Sequence, residues 1–148
     1  MRALVQRVSE AQVSIDEKVH GSINAGLVVF LGIGEMDVDD DLDYIVKKIT
    51  QLRIFSDEMG KMNKSLIDIE GALLIVSQFT LYASTAKGTR PSFIKSAKPD
   101  MAIPLYEKFI AKCERLLPVS TGVFGADMKV SLVNDGPVTI WIDSKEKK

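Results

Sequence analysis

Two apolar runs, "AGLVVFLGI" from Ala25 to Ile33 and "ALLIV" from Ala72 to Val76, constrain this chain more than any other feature. Both fall well short of the roughly 18 apolar residues that a membrane span requires. Short continuous apolar runs bounded by turn residues suit strands that are covered on both faces. The remaining segments must supply that cover on two sides.

The flanking segments have the right periodicities. "ALVQRVSEAQVSI" (Ala3 to Ile15) places β-branched residues at near period 2, which predicts a hairpin or meander at the start. In "DVDDDLDYIVKKITQL" (Asp37 to Leu52), Leu42, Ile45, Val46, Ile49 and Leu52 recur at helical spacing, with acidic residues in the first turn and Lys47 and Lys48 nearer the end. The cluster Asp37, Asp39, Asp40 and Asp41 could suggest a metal, but carboxylates favoured by the helix dipole explain it without one. "LRIFSDEMGKMNKSL" reads as strand, turn and continuation.

A second helix is predicted over "DMAIPLYEKFIAKCERLL" (Asp100 to Leu117), where Tyr106, Phe109, Ile110, Cys113 and Leu117 share a face and Pro104 is tolerable only near the first turn. Cys113 is then a small core residue rather than a nucleophile. "GVFGADMKVSLVNDGPVTIWI" (Gly122 to Ile142) reads as two strands about a turn, with Met128, Val130 and Leu132 on one face. The expectation is a single α+β domain over residues 1–143, with two helices and six or seven strands, followed by a charged tail over residues 144–148 whose "KEKK" (145–148) reads as frayed.

At 148 residues the chain can bury roughly two-thirds of its unfolded surface without disulfides. Its single cysteine can form no internal bridge, and "RALVQRVSEAQV" lacks the apolar stretch of a signal peptide, so a cytoplasmic protein without a membrane partner is expected. A net charge of −1 argues against bulk electrostatic capture of nucleic acid. Distribution qualifies the sum: from Gly71 to Pro99 there is no Asp or Glu, while Lys87, Arg90, Lys95 and Lys98 lie in the second half. That stretch is either a solvated loop with chance bias or a patch that faces phosphates.

Elimination narrows the chemistry. The one histidine, His20, precedes a Gly-Ser pair read as a turn, a poor foundation for a Ser-His-Asp or Cys-His machine. One Cys and one His cannot make a structural zinc site, and neither a phosphate-binding P-loop nor a dinucleotide fingerprint is present. "GIG" at Gly32 to Gly34 reads as a strand-end turn. What remains is "SQFT", Ser77 to Thr80, at the end of a buried strand, and the backbone of "GP" at Gly136 and Pro137. Hydroxyls and peptide N–H groups can grip a carbonyl, an amine or a developing oxyanion. That suits acyl chemistry with a nucleophile from elsewhere; the alternative is a polar strand end. "NDGPVT", Asn134 to Thr139, poses its own question, because a turn signal is followed by a proline that cannot donate to a ladder. Either it stops an edge strand or these peptide groups need an unusual orientation.

Together, "MRALVQRVSEA", "SQFTLYA", "KGTRPSF" and "TGVFGADMKVSLVNDGPVT" resemble the D-aminoacyl-tRNA deacylases, also called D-tyrosyl-tRNA deacylases, from Met1 to about Asp143. The resemblance implies a mostly antiparallel, barrel-like sheet with two main helices. It also implies a homodimeric, metal- and cofactor-independent hydrolase that cleaves D-aminoacyl-tRNA to free tRNA and a D-amino acid. In such a dimer a cis Gly-Pro pair, matched here by Gly136 and Pro137, would reach into the other subunit's pocket. Its two carbonyl oxygens would exclude an L side chain and admit D-amino acids and glycine. Ser77, Gln78, Phe79 and Thr80 would line the aminoacyl and adenosine end, with the Phe79 N–H as an oxyanion donor. Arg7, Leu81, Phe124, Met128 and Asn134 match positions at or near the pocket, with a core role as the alternative for Phe124 and Met128.

Two routes to hydrolysis are open: attack by Thr80, or assistance from the ribose 2′-hydroxyl. The second is preferred because nothing in the sequence supplies a base beside Thr80. Charge, rather than the resemblance, nominates Lys87, Arg90, Lys95 and Lys98 for acceptor-stem phosphates. A binding module without catalysis, a general esterase using Thr80, and a purely structural dimer are the competing readings.

Overall fold

The computed structural model describes residues 1–147. Its elements run β1 (Arg2–Ile15), β2 (Lys18–Ile23), β3 (Gly26–Gly32), α1 (Asp39–Gln51), β4 (Phe55–Ser56), β5 (Met62–Lys64), β6 (Ala72–Ser77), a 3-10 turn (Phe79–Tyr82), α2 (Pro99–Glu114), β7 (Val119–Thr121) and β8 (Lys129–Asp143). The two apolar runs become β3 and β6, paired in parallel from Gly26 with Ala72 to Leu31 with Ser77. They sit mid-sheet in the order β2-β1-β3-β6-β7, with β8 on the other side of β1.

Both runs are covered on two faces. Leu27, Val29, Leu31, Leu73 and Ile75 face a core that includes Leu42, Ile45 and Ile49 of α1 and Tyr106, Phe109 and Cys113 of α2. Val28, Leu74 and Val76 face a second core built from Val8, Ala11, Val13 and Ile23, with Met128, Val130 and Leu132 packed against it. Each fully buried Val, Leu or Ile contributes about 1.5–3 kcal/mol relative to exposure. These two strands are therefore the most strongly held part of the sheet.

β1 serves both cores by changing phase. Ala3 and Val5 belong to the first and Val8, Ala11 and Val13 to the second. The register against β8 shifts at Gln6/Val8 and again at Val8/Glu10. Such irregularities bend a strand and increase its twist, and the sheet curls into a barrel-like wall closed on one side by the helices.

The C-terminal segment corrects the expectation of two strands about a turn. β8 is one strand that pairs antiparallel with β1 on both sides of residues 135–138, Asn134 opposite Val8 and Thr139 opposite Gln6. Residues 135–138 bulge out opposite Arg7 instead of reversing the chain. Asn134 makes this possible: its Nδ2 donates to the carbonyls of Arg7 and Val138, both at 3.0 Å. His20 is likewise not in a turn, because Gly21 and Ser22 pair with Val13 and Gln12 and keep His20 within β2. Its Nδ1 lies 2.8 Å from the Thr121 carbonyl.

The start of the proposed tail is anchored rather than frayed. Arg2 pairs with Asp143, which brings both ends of the described chain to the N-terminus of α1. There the Met1 ammonium, fully buried, donates to Asp37 Oδ1 and Ser144 Oγ, both at 2.6 Å. Ser144 Oγ donates to Asp41 Oδ1 at 2.7 Å and Lys145 Nζ to Asp41 Oδ2 at 2.8 Å. Asp37 and Asp41 are thus buried counter-ions, whereas Asp39 and Asp40 remain exposed in the first turn, where the helix dipole favours them. Among the described residues no helix is long and apolar enough to cross a membrane.

Candidate active site

β6 leaves the core at Ser77, and the backbone of Gln78 breaks the strand at φ −146°, ψ 78° while its N–H still donates to the Leu31 carbonyl at 2.8 Å. The chain then tightens into the 3-10 turn, where Leu81 N–H donates to Gln78 O at 3.2 Å and Ala83 N–H to Thr80 O at 3.0 Å. Opening N–H groups of a helical turn have no acceptor within it. Those of Phe79 and Thr80 therefore stand at the end of a rigid, doubly buried strand. Arg2 holds the far end of the turn: its Nη1 donates to the Leu81 carbonyl at 2.9 Å, and its guanidinium lies 4.4 Å from the Tyr82 ring centroid.

Ser77, Gln78 and Phe79 line a cavity of about 300 Å³ with Phe124, Asp127 and Met128. Phe124 rests on Tyr106 with ring centroids 5.7 Å apart. Met128 sits over Gly122, where a Cβ would come within 2.4 Å of its sulfur. Phe124 and Met128 therefore line the cavity and pack on the core at once. Burial pushes the Tyr106 hydroxyl up to about 12, so it stays protonated and donates to the Ile75 carbonyl at 3.3 Å.

Thr80 lies outside this lining on the exposed turn, and its Oγ1 accepts from Gln78 Nε2 at 2.5 Å. Either orientation of that amide leaves Thr80 beside a group that cannot take its proton. The lone histidine is engaged at β2. Among the described residues, no three His, Cys, Asp or Glu side chains gather to hold a metal.

A second group forms around the bulge of β8. Arg7 Nε donates to the Asp135 carbonyl at 3.0 Å and Nη1 to the Ile54 carbonyl at 2.8 Å. Gly136 has φ +131°, a Cβ there would lie 2.9 Å from Arg7 Nη2, and the Gly136–Pro137 peptide is cis. Gly136 and Pro137 are exposed and do not line the cavity of their own chain. A third group is basic: Lys87, Arg90 and Lys95 surround a depression of about 230 Å³ with Tyr82, Ser84 and Ser92. Lys98 stands apart at the start of α2.

Sequence reasoning did not single out Asp127, Arg2 or Ile54. Asp127 lies inside the quoted "FGADMKV", the one signal that could have marked it. The roles of Arg2 and of the Ile54 carbonyl are created by contacts distant in sequence.

Known proteins resemble this chain in sequence and in fold. The family model of D-Tyr-tRNA(Tyr) deacylase matches residues 4–143. The chain is 61% identical over 150 residues to the D-aminoacyl-tRNA deacylase of Cytophaga hutchinsonii, with 100% of both chains covered. Among solved structures, the c-Myc DNA Unwinding Element Binding Protein superposes with a TM-score of 0.92 at 38% identity, covering 97% of this chain and 98% of that one. A structure described as a probable eukaryotic D-amino acid tRNA deacylase gives 0.85 at 18% identity over 96% of this chain and 98% of that one, a likeness of fold. By the extent of the family match and the full-length identity, the chain belongs to the D-Tyr-tRNA(Tyr) deacylase family, ester hydrolases that act on D-aminoacyl-tRNA.

Proposed function

We propose that the Ser77–Phe79 cavity receives the aminoacylated 3′ end of tRNA and that the protein hydrolyses its D-aminoacyl ester to free tRNA and a D-amino acid. The observation that carries this reading is a cavity at the end of a doubly buried strand, lined by hydroxyl, amide and opening peptide N–H groups, in a chain of this family. Fixed N–H donors can stabilise the oxyanion that forms when water attacks the ester carbonyl. The Phe79 N–H fills that role, while Ser77 and Gln78 orient the aminoacyl and adenosine groups. The hydroxyl of Thr80 has only an amide beside it, which favours assistance by the substrate's own 2′-hydroxyl over a covalent acyl-enzyme.

Chiral selection, in this reading, falls to Gly136 and Pro137 of a second copy of the chain. Their exposure, and their absence from the lining of their own chain's cavity, favour that arrangement. Two backbone carbonyls facing the substrate α-carbon leave no room for an L side chain, yet touch nothing that distinguishes one D side chain from another. Glycyl-tRNA would then be accepted as well. Arg7 and Asn134 support the bulge, and Leu81, Phe124 and Met128 shape the pocket. Lys87, Arg90, Lys95 and Lys98 meet tRNA phosphates. Such a substrate belongs to translation and to the cytoplasm.

The test is the time course of ester loss from matched D-tyrosyl-tRNA and L-tyrosyl-tRNA with purified protein. Rapid loss of the D ester and survival of the L ester is expected; survival of both would favour a nucleic-acid-binding module. A 2′-deoxy terminal adenosine hydrolysed at the normal rate would rule out substrate assistance. Sedimentation of the protein checks the dimer.

A further inference from the structure

The loop after the 3-10 turn returns on itself. Ser84 N–H donates to Ser92 O at 2.8 Å and Ser92 N–H to Ser84 O at 2.9 Å, which closes a neck around residues 85–91. Gly88, at φ +62°, lets the tip turn. The depression lined by Lys87, Arg90 and Lys95 lies against this neck. Among the described residues none of these three side chains is in an ion pair. Glu35 meets Lys95 only through a peptide hydrogen bond, N–H to O, at 3.0 Å. The positive charge there is uncompensated.

A pair of aromatic rings ties the cavity to the segment that carries the depression, since Phe93 falls in sequence between Ser92 and Ile94, which line it. Phe79, which lines the cavity, and Phe93, the residue after the neck, meet edge to face with centroids 5.1 Å apart. Phe79 is 53% and Phe93 38% exposed. Exposed aromatic rings beside a basic groove are what sequence-tolerant binding of single-stranded nucleic acid uses, bases stacking on the rings and cations following the backbone.

We propose that cavity, aromatic pair and basic depression form one track for the single-stranded 3′ end of an RNA. The base preceding the ester-bearing adenosine rests on Phe93, and the phosphates upstream of it lie against Lys87, Arg90 and Lys95. The direction of the strand rests on the function proposed above. Lys98, outside the depression, is not part of the track. The protein thus reads the 3′ end as a flexible strand and draws a share of its affinity from nucleotides that undergo no chemistry.

The experiment measures fluorescence anisotropy with two labelled RNA hairpins, one ending in single-stranded ACCA and one blunt, over a range of salt. The wild type is compared with Lys87→Ala/Arg90→Ala/Lys95→Ala and with Phe93→Ala. For the ACCA hairpin the triple variant is expected to raise Kd at least tenfold and to flatten the slope of log K against log salt by about 2, near 0.7 for each lost phosphate contact. Phe93→Ala is expected to raise Kd about fivefold or more with the slope nearly kept. In hydrolysis, the triple variant is expected to lower the ratio of kcat/KM for D-tyrosyl-tRNA to that for D-tyrosyl-adenosine at least tenfold, with the loss in KM.

Unchanged Kd and slope, or equal weakening with the blunt hairpin, would overturn the track. Should the wild type hydrolyse neither ester, the proposed function fails, while the binding comparison still decides the track. A wild-type preference for the ACCA end that the triple variant loses supports it, and no preference overturns it.

Discussion

Arg7 lies against Gly136 so closely that a Cβ on the glycine would sit 2.9 Å from Arg7 Nη2. The same guanidinium donates to the carbonyl of Asp135. The bulge is thus seated on a cation that is itself held by the Ile54 carbonyl. Gly136→Ala must move Arg7 and also hold an L residue at φ +131°, a strain of about 1–3 kcal/mol. Displacing a positioning group by about 1 Å can cost around 10²-fold in rate. We expect kcat/KM for D-tyrosyl-tRNA to fall by about that factor while far-UV circular dichroism is unchanged. Wild-type kinetics from a folded Gly136→Ala protein would remove the bulge from the site.

Thr80→Val tests the chemistry from the protein side. Removing a nucleophile costs on the order of 10⁶-fold in kcat in a well-studied hydrolase, whereas removing a hydroxyl that only accepts from Gln78 should cost about tenfold or less. Single-turnover rates on D-tyrosyl-tRNA separate the two, and a loss of about 10⁴-fold or more would return Thr80 to the role of nucleophile.

Asp41 makes stability depend on acid. Burial opposes its ionisation, but hydrogen bonds from Lys145, Ser144 and the Val38 N–H, with the Met1 ammonium nearby, outweigh it and bring the carboxyl from 3.8 down to about 2. A depressed carboxyl contributes stability that is complete above its unfolded value, near pH 4, and is lost as pH falls toward 2. The contribution is at most about 2 kcal/mol, since Lys145 is half in solvent. Urea midpoints of wild type and Asp41→Asn should differ at pH 7 and converge between pH 4 and 2. A constant difference would detach Asp41 from the acid transition.

Cys113 should be inert in the native protein. Burial, and after it the charge of Glu114, pushes its thiol up to about 12, so almost no thiolate exists at neutral pH. A thiol reagent is expected to react only at the rate of unfolding. Cys113→Ser, which places a hydroxyl in the core, should lower stability by about 1–3 kcal/mol and leave kcat alone. Fast labelling of the folded protein would contradict the core assignment.

Much of the fold was legible because it is local. Continuous apolar runs marked β3 and β6, and helical spacing marked α1 and α2 to within two or three residues. The polar "SQFT" at the end of a buried strand pointed to the cavity, since hydroxyls and amides there must be satisfied or used. What the sequence alone determined is therefore which residues prefer which face and where buried polar groups occur, for both follow from neighbours a few positions apart.

Tertiary structure decided the rest. "NDGPVT" looks like a hairpin turn until both flanking runs find β1 as a common partner, and then it becomes a bulge braced by Asn134 and Arg7. The aspartates around the start of α1 look like dipole partners until the pairing of Arg2 with Asp143 delivers Met1, Ser144 and Lys145 to Asp37 and Asp41. The basic residues look like one patch until the Ser84–Ser92 neck gathers Lys87, Arg90 and Lys95 and leaves Lys98 at α2. The physical reason is the same each time: strand partner and register are set by contacts far apart in sequence, and a local pattern carries no information about which distant residue will arrive.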